Sequence, residues 1–197
     1  MSPHDKNYFL AKKNYLNFLK NQEVLGEPFY DKIGQFKKFY IPISNKIFKK
    51  FRKKNNTLIV GLSGGQGSGK STIAQILKVI IKARFNLNII NFSIDDFYKT
   101  YKERKKMSKK FSKLFLTRGV PGTHDTKLLF KHLKNFKSNN FSQVKIPQFD
   151  KSKDDRLIKT KWKKIKKKQD IIIFEGWCVG AKAELNKTLK KSINSLE

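Results

Sequence analysis

The run GLSGGQGSGKST, Gly61 to Thr72, decides the fold of this chain. Gly64, Gly69, Lys70 and Ser71 fill the pattern G-x-x-x-x-G-K-[ST], a turn between a strand and a helix whose successive backbone N–H groups face phosphate oxygens. Such a turn uses backbone conformations that glycine alone adopts freely, and the helix that follows adds the field of its N-terminus, which favours an anion. The residues assigned to nucleotide are therefore Gly64, Gly65, Gln66, Gly67, Ser68, Gly69, Lys70, Ser71 and Thr72. Lys70 is expected to reach the β and γ phosphates, and the Ser71 hydroxyl to ligate Mg²⁺. Both flanks agree with this reading. Thr57 to Leu62 (TLIVGL) is a short β-branched run suited to a buried strand. After the loop, Ile73, Leu77, Ile80 and Arg84 fall on one helical face that Ile76 and Ile81 widen.

Further strands are expected at LNIINFS (Leu87 to Ser93), near Val144 in VKIP, and at DIIIFE (Asp170 to Glu175). The last is an unbroken apolar run of the kind buried on both faces of a parallel sheet. DTKLLFKHLKNF carries Leu129, Leu133 and Phe136 at helical spacing, with Thr123 or Asp125 placed to cap it. Strands alternating with helices indicate an α/β fold of the P-loop NTPase kind: a doubly wound, mainly parallel sheet with helices on both faces. Ligands in such folds lie beyond the carboxyl ends of the strands. Upstream, Tyr8, Ala11, Tyr15, Phe18 and Leu19 predict a helix, and Phe36, Phe39, Tyr40 and Phe51 a second one interrupted at Pro42. The polar tract ending at Asn56 then separates an N-terminal helical segment, residues 1–56, from the nucleotide-binding domain, residues 57–197.

Against 15 Asp and Glu stand 45 Lys and Arg, a formal net charge of +30 that would suit a polyanionic partner. Lys, Asn, Ile and Phe share codons rich in A and T, so compositional bias is the preferred reading and specific nucleic-acid binding is not expected. KWKKIKKK, Lys161 to Lys168, reads as a solvated turn. The single Cys178 excludes an internal disulfide and fits a reducing compartment as a small hydrophobe. No secretory signal or membrane-spanning run is recognisable, which makes the cytoplasm the expected location.

Two acidic elements lie at strand ends. SIDDFY, Ser93 to Tyr98, puts Asp95 and Asp96 where the second strand should stop. A carboxylate there can take a proton from an acceptor hydroxyl, and a helix cap or a solvated pair would also explain it. Glu175, closing the apolar DIIIFE run, is the candidate to orient Mg²⁺ or its waters.

The blocks GLSGGQGSGKST, SIDDFY, TRGVPGTHD, IPQFDKSKDDR and IIIFEGWCVGA, in this order, closely resemble the plant-type D-glycerate 3-kinases and their bacterial relatives, themselves similar to uridine kinase, phosphoribulokinase and pantothenate kinase. The resemblance runs from about Leu58 to the end. It implies an ATP- and Mg²⁺-dependent kinase acting on a hydroxyl of D-glycerate, with Asp95 as base, Lys70 and Glu175 assisting, and Ser71 and Glu175 toward the metal. It also implies an acceptor site bordered by Asp96, Arg118, His124, Lys151 and Arg156. Ordinary chemistry offers Asp125 as a helix cap and His124 as a turn residue. Another small acceptor, such as a nucleoside or pantothenate, a nucleotide-binding chain of little activity, and a basic nucleic-acid-binding protein that responds to ATP are the alternatives. SINSLE, Ser192 to Glu197, resembles a segment after which the glycerate kinases continue into a nucleotide lid. The expectation from sequence is thus a shortened kinase, its remaining part encoded downstream or supplied by a partner chain.

Overall fold

Ile171–Gly176 forms strand β7, and every one of its six residues is buried. In the computed structural model, which describes residues 3–24, 28–182 and 185, this strand is the middle of a three-stranded sheet. It pairs in parallel with β1 (Leu58–Ser63) on one side and β2 (Ile89–Ser93) on the other, Leu58 and Ile89 both lying opposite Ile171. Side chains of a strand alternate between faces, so a run without polar residues must meet apolar partners above and below. Ile171 and Ile173 pack with Ala74, Leu77 and Ile81 of helix α4 (Lys70–Phe85). Ile172 and Phe174 pack with Phe92, Phe97 and Phe136, the last from helix α6 (Thr126–Lys137). The expected α/β arrangement, a parallel sheet with helices on both faces, is therefore what forms.

The N-terminal helices do not stand apart from this core. Helix α1 (Pro3–Lys20) places Ala11, Tyr15 and Leu19 in one cluster with Phe36 and with Ile76 and Ile80 of α4. Helix α4 is thus covered on two sides, which is why its apolar face is broader than one sheet contact requires. Burying a side chain such as Ile80 contributes about 1.5–3 kcal/mol. Tyr15 Oη donates to the Lys32 carbonyl at 3.1 Å, and burial, with Tyr40 and Asp31 adding, pushes this phenol up to about 12.

Pro42 does not interrupt the second helical stretch. The short α2 (Lys32–Gln35) runs through a π-helical turn at Phe36–Tyr40 into α3 (Ile41–Lys54), and Pro42 sits in the first turn of α3. A missing N–H matters least there. At α6 the cap is Asp125, whose side chain accepts from the Leu128 N–H at 3.0 Å. Thr123 donates its hydroxyl to the Val120 carbonyl instead. One helix has no counterpart in the periodicity argument: α5 (Tyr101–Lys110), almost without buried apolar residues and started by a Thr100/Glu103 capping box.

The lysine-rich tract is not a solvated turn. Lys163–Ile165 forms β6, antiparallel to β3 (Val144–Ile146), with Ile165 buried and both lysines exposed. Alternation lets one isoleucine enter the core while its charged neighbours stay in water. The VKIP strand accordingly belongs to this small ribbon and not to the main sheet. A second ribbon joins β4 (Phe149–Asp150) to β5 (Asp155–Arg156). Among the described residues no helix is long and apolar enough to cross a membrane. SINSLE lies outside the described residues.

Candidate active site

The carboxyl ends of β1, β7 and β2 open into one cavity of about 910 Å³. The glycine loop forms one wall, from Gly65, Gln66, Gly67, Gly69, Lys70, Ser71 and Thr72. Gly67 and Gly69 have φ of 77° and 76°, left-handed conformations that side-chain-bearing residues rarely adopt. Two bonds brace the turn from inside: Ser68 Oγ donates to the Gly65 carbonyl at 2.8 Å, and Lys70 Nζ to the same oxygen at 2.5 Å. Neither Gly64 nor Ser68 lines the cavity: Ser68 braces the loop, and a Cβ at Gly64 would lie 2.9 Å from the Ser68 hydroxyl.

Ser71 Oγ, in the first turn of α4, donates to Glu175 Oε1 at 2.7 Å, although Glu175 itself is buried at the end of β7. A hydroxyl and a carboxylate side by side, next to a helix N-terminus, are hard oxygen donors of the type that Mg²⁺ takes together with phosphate oxygens and water. The described residues contain no group of three or more His, Cys, Asp and Glu that could cage a metal by itself. Two oxygens of this kind fit Mg²⁺ carried by a nucleotide, which Ser71 and Glu175 would hold from the protein side.

The structure separates the two adjacent acids. Ser93 caps a 3-10 turn at Ile94–Phe97, its hydroxyl accepting from the Asp95 N–H at 3.2 Å. Asp96 accepts from the Ser93 N–H at 3.1 Å through Oδ2 and from the Phe149 N–H at 3.4 Å through Oδ1. Both its oxygens thus serve the backbone. Burial pushes the Asp96 carboxyl above the usual carboxylate range, with the charges of Asp95 and Glu175 adding and the two N–H donors opposing. Both acids line the cavity, but Asp95 pairs there with a side chain, its Oδ2 3.1 Å from Lys151 Nζ.

On the same side Arg118 lines the cavity and donates to Asp154 Oδ1 at 3.0 Å. His124 and Arg156 do not line it. His124 is buried and stacked on Tyr98 with ring centroids 4.1 Å apart, and burial lowers its basicity. Arg156 reaches Asp125 at 3.3 Å and Glu103 at 3.4 Å, tying β5 to α5 and to the start of α6. Cys178 is half-buried among hydrophobic residues, and burial raises its thiol.

Sequence reasoning assigned no role to Tyr98, Phe149 or Trp177, which supply the aromatic part of the wall. They stand beside motif acids, in SIDDFY, in QFD and in FEGW, and that adjacency was the available signal. Gly176 was also missed: a Cβ there would lie 2.4 Å from Ile94, so only glycine lets β7 end this close to the turn that carries Asp95.

The profile of the phosphoribulokinase / uridine kinase family matches residues 59–191. The uncharacterized kinase mug58 of Schizosaccharomyces pombe is 40% identical over 149 residues, 70% of this chain and 53% of that protein. The chloroplastic D-glycerate 3-kinase of Arabidopsis thaliana is 31% identical over 64% of this chain and 29% of its own length. Among solved structures, D-glycerate 3-kinase from Cryptococcus neoformans superimposes with a TM-score of 0.67 at 25% identity, covering 77% of this chain and 56% of that one. The chain spans about half the length, or less, of these relatives.

Proposed function

Because the chain belongs to the phosphoribulokinase / uridine kinase family, a family of P-loop kinases, we propose that it transfers the γ-phosphoryl group of ATP to a hydroxyl of D-glycerate, giving 3-phosphoglycerate. The single observation that carries this reading is that Asp95 lines the same cavity as the glycine loop, with Lys151 3.1 Å from it and Arg118 in the same lining. An acceptor hydroxyl next to Asp95 loses its proton to that carboxylate as its oxygen bonds to the γ phosphorus, and the β–γ bridging oxygen leaves with ADP. Lys151 and Arg118 supply the cationic partners for the acid's carboxylate. The loop N–H groups and Lys70 hold the transferring phosphates. Ser71 and Glu175 would hold Mg²⁺, which neutralises phosphate charge when bound.

A nucleoside acceptor is the second reading, favoured by the aromatic wall of Tyr98, Phe149 and Trp177, on which a base could stack. ADP release measured with D-glycerate, other hydroxy acids and a set of nucleosides, followed by phosphorus NMR of the product, separates the two. Turnover with a nucleoside and none with D-glycerate would discard the first reading.

A further inference from the structure

Arg104 has no accessible surface, although its side chain ends in a charged guanidinium. From α5 its guanidinium donates to the Leu116 carbonyl at 2.7 Å and to Asp154 twice, at the main-chain carbonyl and at Oδ2, the latter 2.9 Å away. Asp154 has φ of 48°, a left-handed conformation that aspartate tolerates better than most residues but still disfavours. Its remaining oxygen, Oδ1, accepts from Arg118. One carboxylate is thereby shared by two guanidinium groups, and both lie over the Phe149 ring, at 5.9 and 5.6 Å from its centroid. Only the outer part of this chain of contacts, Arg118 and Phe149, lines the cavity.

An ion pair with one buried partner, here Arg104 against a part-exposed Asp154, is a poor way to gain stability, because desolvation of the buried guanidinium offsets much of the attraction. What a buried guanidinium does supply is direction. Arg118 is a long, partly exposed side chain whose charge would otherwise sample many rotamers, and it is held by an aspartate that is itself held at two points.

We propose that Arg104 is a positioning residue for the acceptor: it locks Asp154, and through Asp154 it aims Arg118 at the anionic group of the substrate. This rests on the acceptor reading given above. Holding Arg118 in advance spares the bound acid the cost of ordering it, so losing the lock weakens the acid and leaves the nucleotide alone.

The test uses the full chain and three substitutions. Arg104→Lys keeps the charge but cannot serve Leu116 and both Asp154 oxygens, and Asp154→Asn keeps a residue tolerant of the left-handed conformation. Each should raise the Kd for D-glycerate, measured by calorimetry, about tenfold while the Kd for ATP changes less than about twofold. In an Arg118→Met background neither should add a further loss, because the effect runs through Arg118. Unchanged acid affinity, equal losses for both ligands, or losses that add to Arg118→Met would each overturn the proposal. If the unsubstituted chain binds no D-glycerate, the acceptor reading fails, and the guanidinium N–H resonances of Arg118 in arginine-labelled protein then decide. Slow exchange that is lost in both variants upholds the positioning role, and resonances that do not change refute it.

Discussion

Ser71 and Glu175 lie 104 residues apart in the chain and are joined by a hydrogen bond of 2.7 Å. Strand β7 delivers the carboxylate and helix α4 the hydroxyl, so the packing of α4 on the sheet assembles the pair proposed to hold Mg²⁺. Glu175→Gln keeps a group able to bond Ser71 and removes the charge. ATP affinity in the presence of Mg²⁺ should then fall about tenfold, with metal-free affinity nearly unchanged. Titration of a fluorescent ATP analogue with and without chelator reads both quantities, and equal losses in the two conditions would remove Glu175 from the metal's side of the site.

Lys70→Ala should weaken ATP binding about tenfold or more, since a charge-assisted bond to phosphate is lost and the loop N–H groups remain. The same titration checks it. Unaltered affinity and turnover would contradict the assignment of Gly64 to Thr72 as the nucleotide loop.

Neighbouring acids should behave differently. Asp95→Asn should lower kcat about a hundredfold or more and leave ATP binding and the thermal midpoint nearly intact. Asp96→Ala leaves the N–H groups of Ser93 and Phe149 without their acceptor and should cost about 1–3 kcal/mol in denaturant unfolding. A reversed pattern, with Asp96 deciding turnover and Asp95 stability, would exchange their roles.

Lys151→Met should raise the KM for the acid more than that for ATP, because Lys151 lies in the cavity beside Asp95. Arg156→Met should instead lower the melting temperature and spare both KM values, since its guanidinium bridges Asp125 and Glu103 outside the cavity. A selective rise in the acid's KM on replacing Arg156 would place it at the acceptor after all.

His124 makes stability depend on pH. Burial lowers its basicity, with Lys99 adding and Asp95 opposing, so the unfolded chain takes up a proton near the ordinary value of 6.5 while the folded protein still resists it. Its contribution is complete above that pH and is lost as pH falls toward the lowered folded value. His124→Phe keeps the stack on Tyr98 and removes the proton, so unfolding free energy should fall less as pH drops below 6.5 than it does in the unsubstituted chain. Identical pH slopes for the two proteins would show that His124 is not the group responsible.

The parallel sheet, its central strand and the nucleotide loop were legible in the sequence, because each is a local signal. Ile171 to Glu175 and Gly61 to Thr72 state their structure through runs of neighbouring residues whose backbone preferences act over a few bonds. The same holds for Asp125, a cap that needs only the helix following it. The ribbon at Lys163–Ile165 was not legible: one isoleucine among lysines becomes a strand only when Val144–Ile146 arrives to pair with it. Spacing and composition alone did not divide labour between Asp95 and Asp96, which only the family resemblance told apart, or between Lys151 and Arg156. Adjacent or similar side chains acquire opposite tasks according to which backbone N–H, carboxylate or open space folding sets before them. Arg104 is the extreme case. On an exposed and highly charged helix it reads as one more surface cation among 45, and only the closing of the Asp154 turn over it makes it a buried clamp. Local backbone preference is written along the chain, whereas the partner of a long polar side chain is set by contacts between distant segments, which are formed only when the tertiary fold is complete.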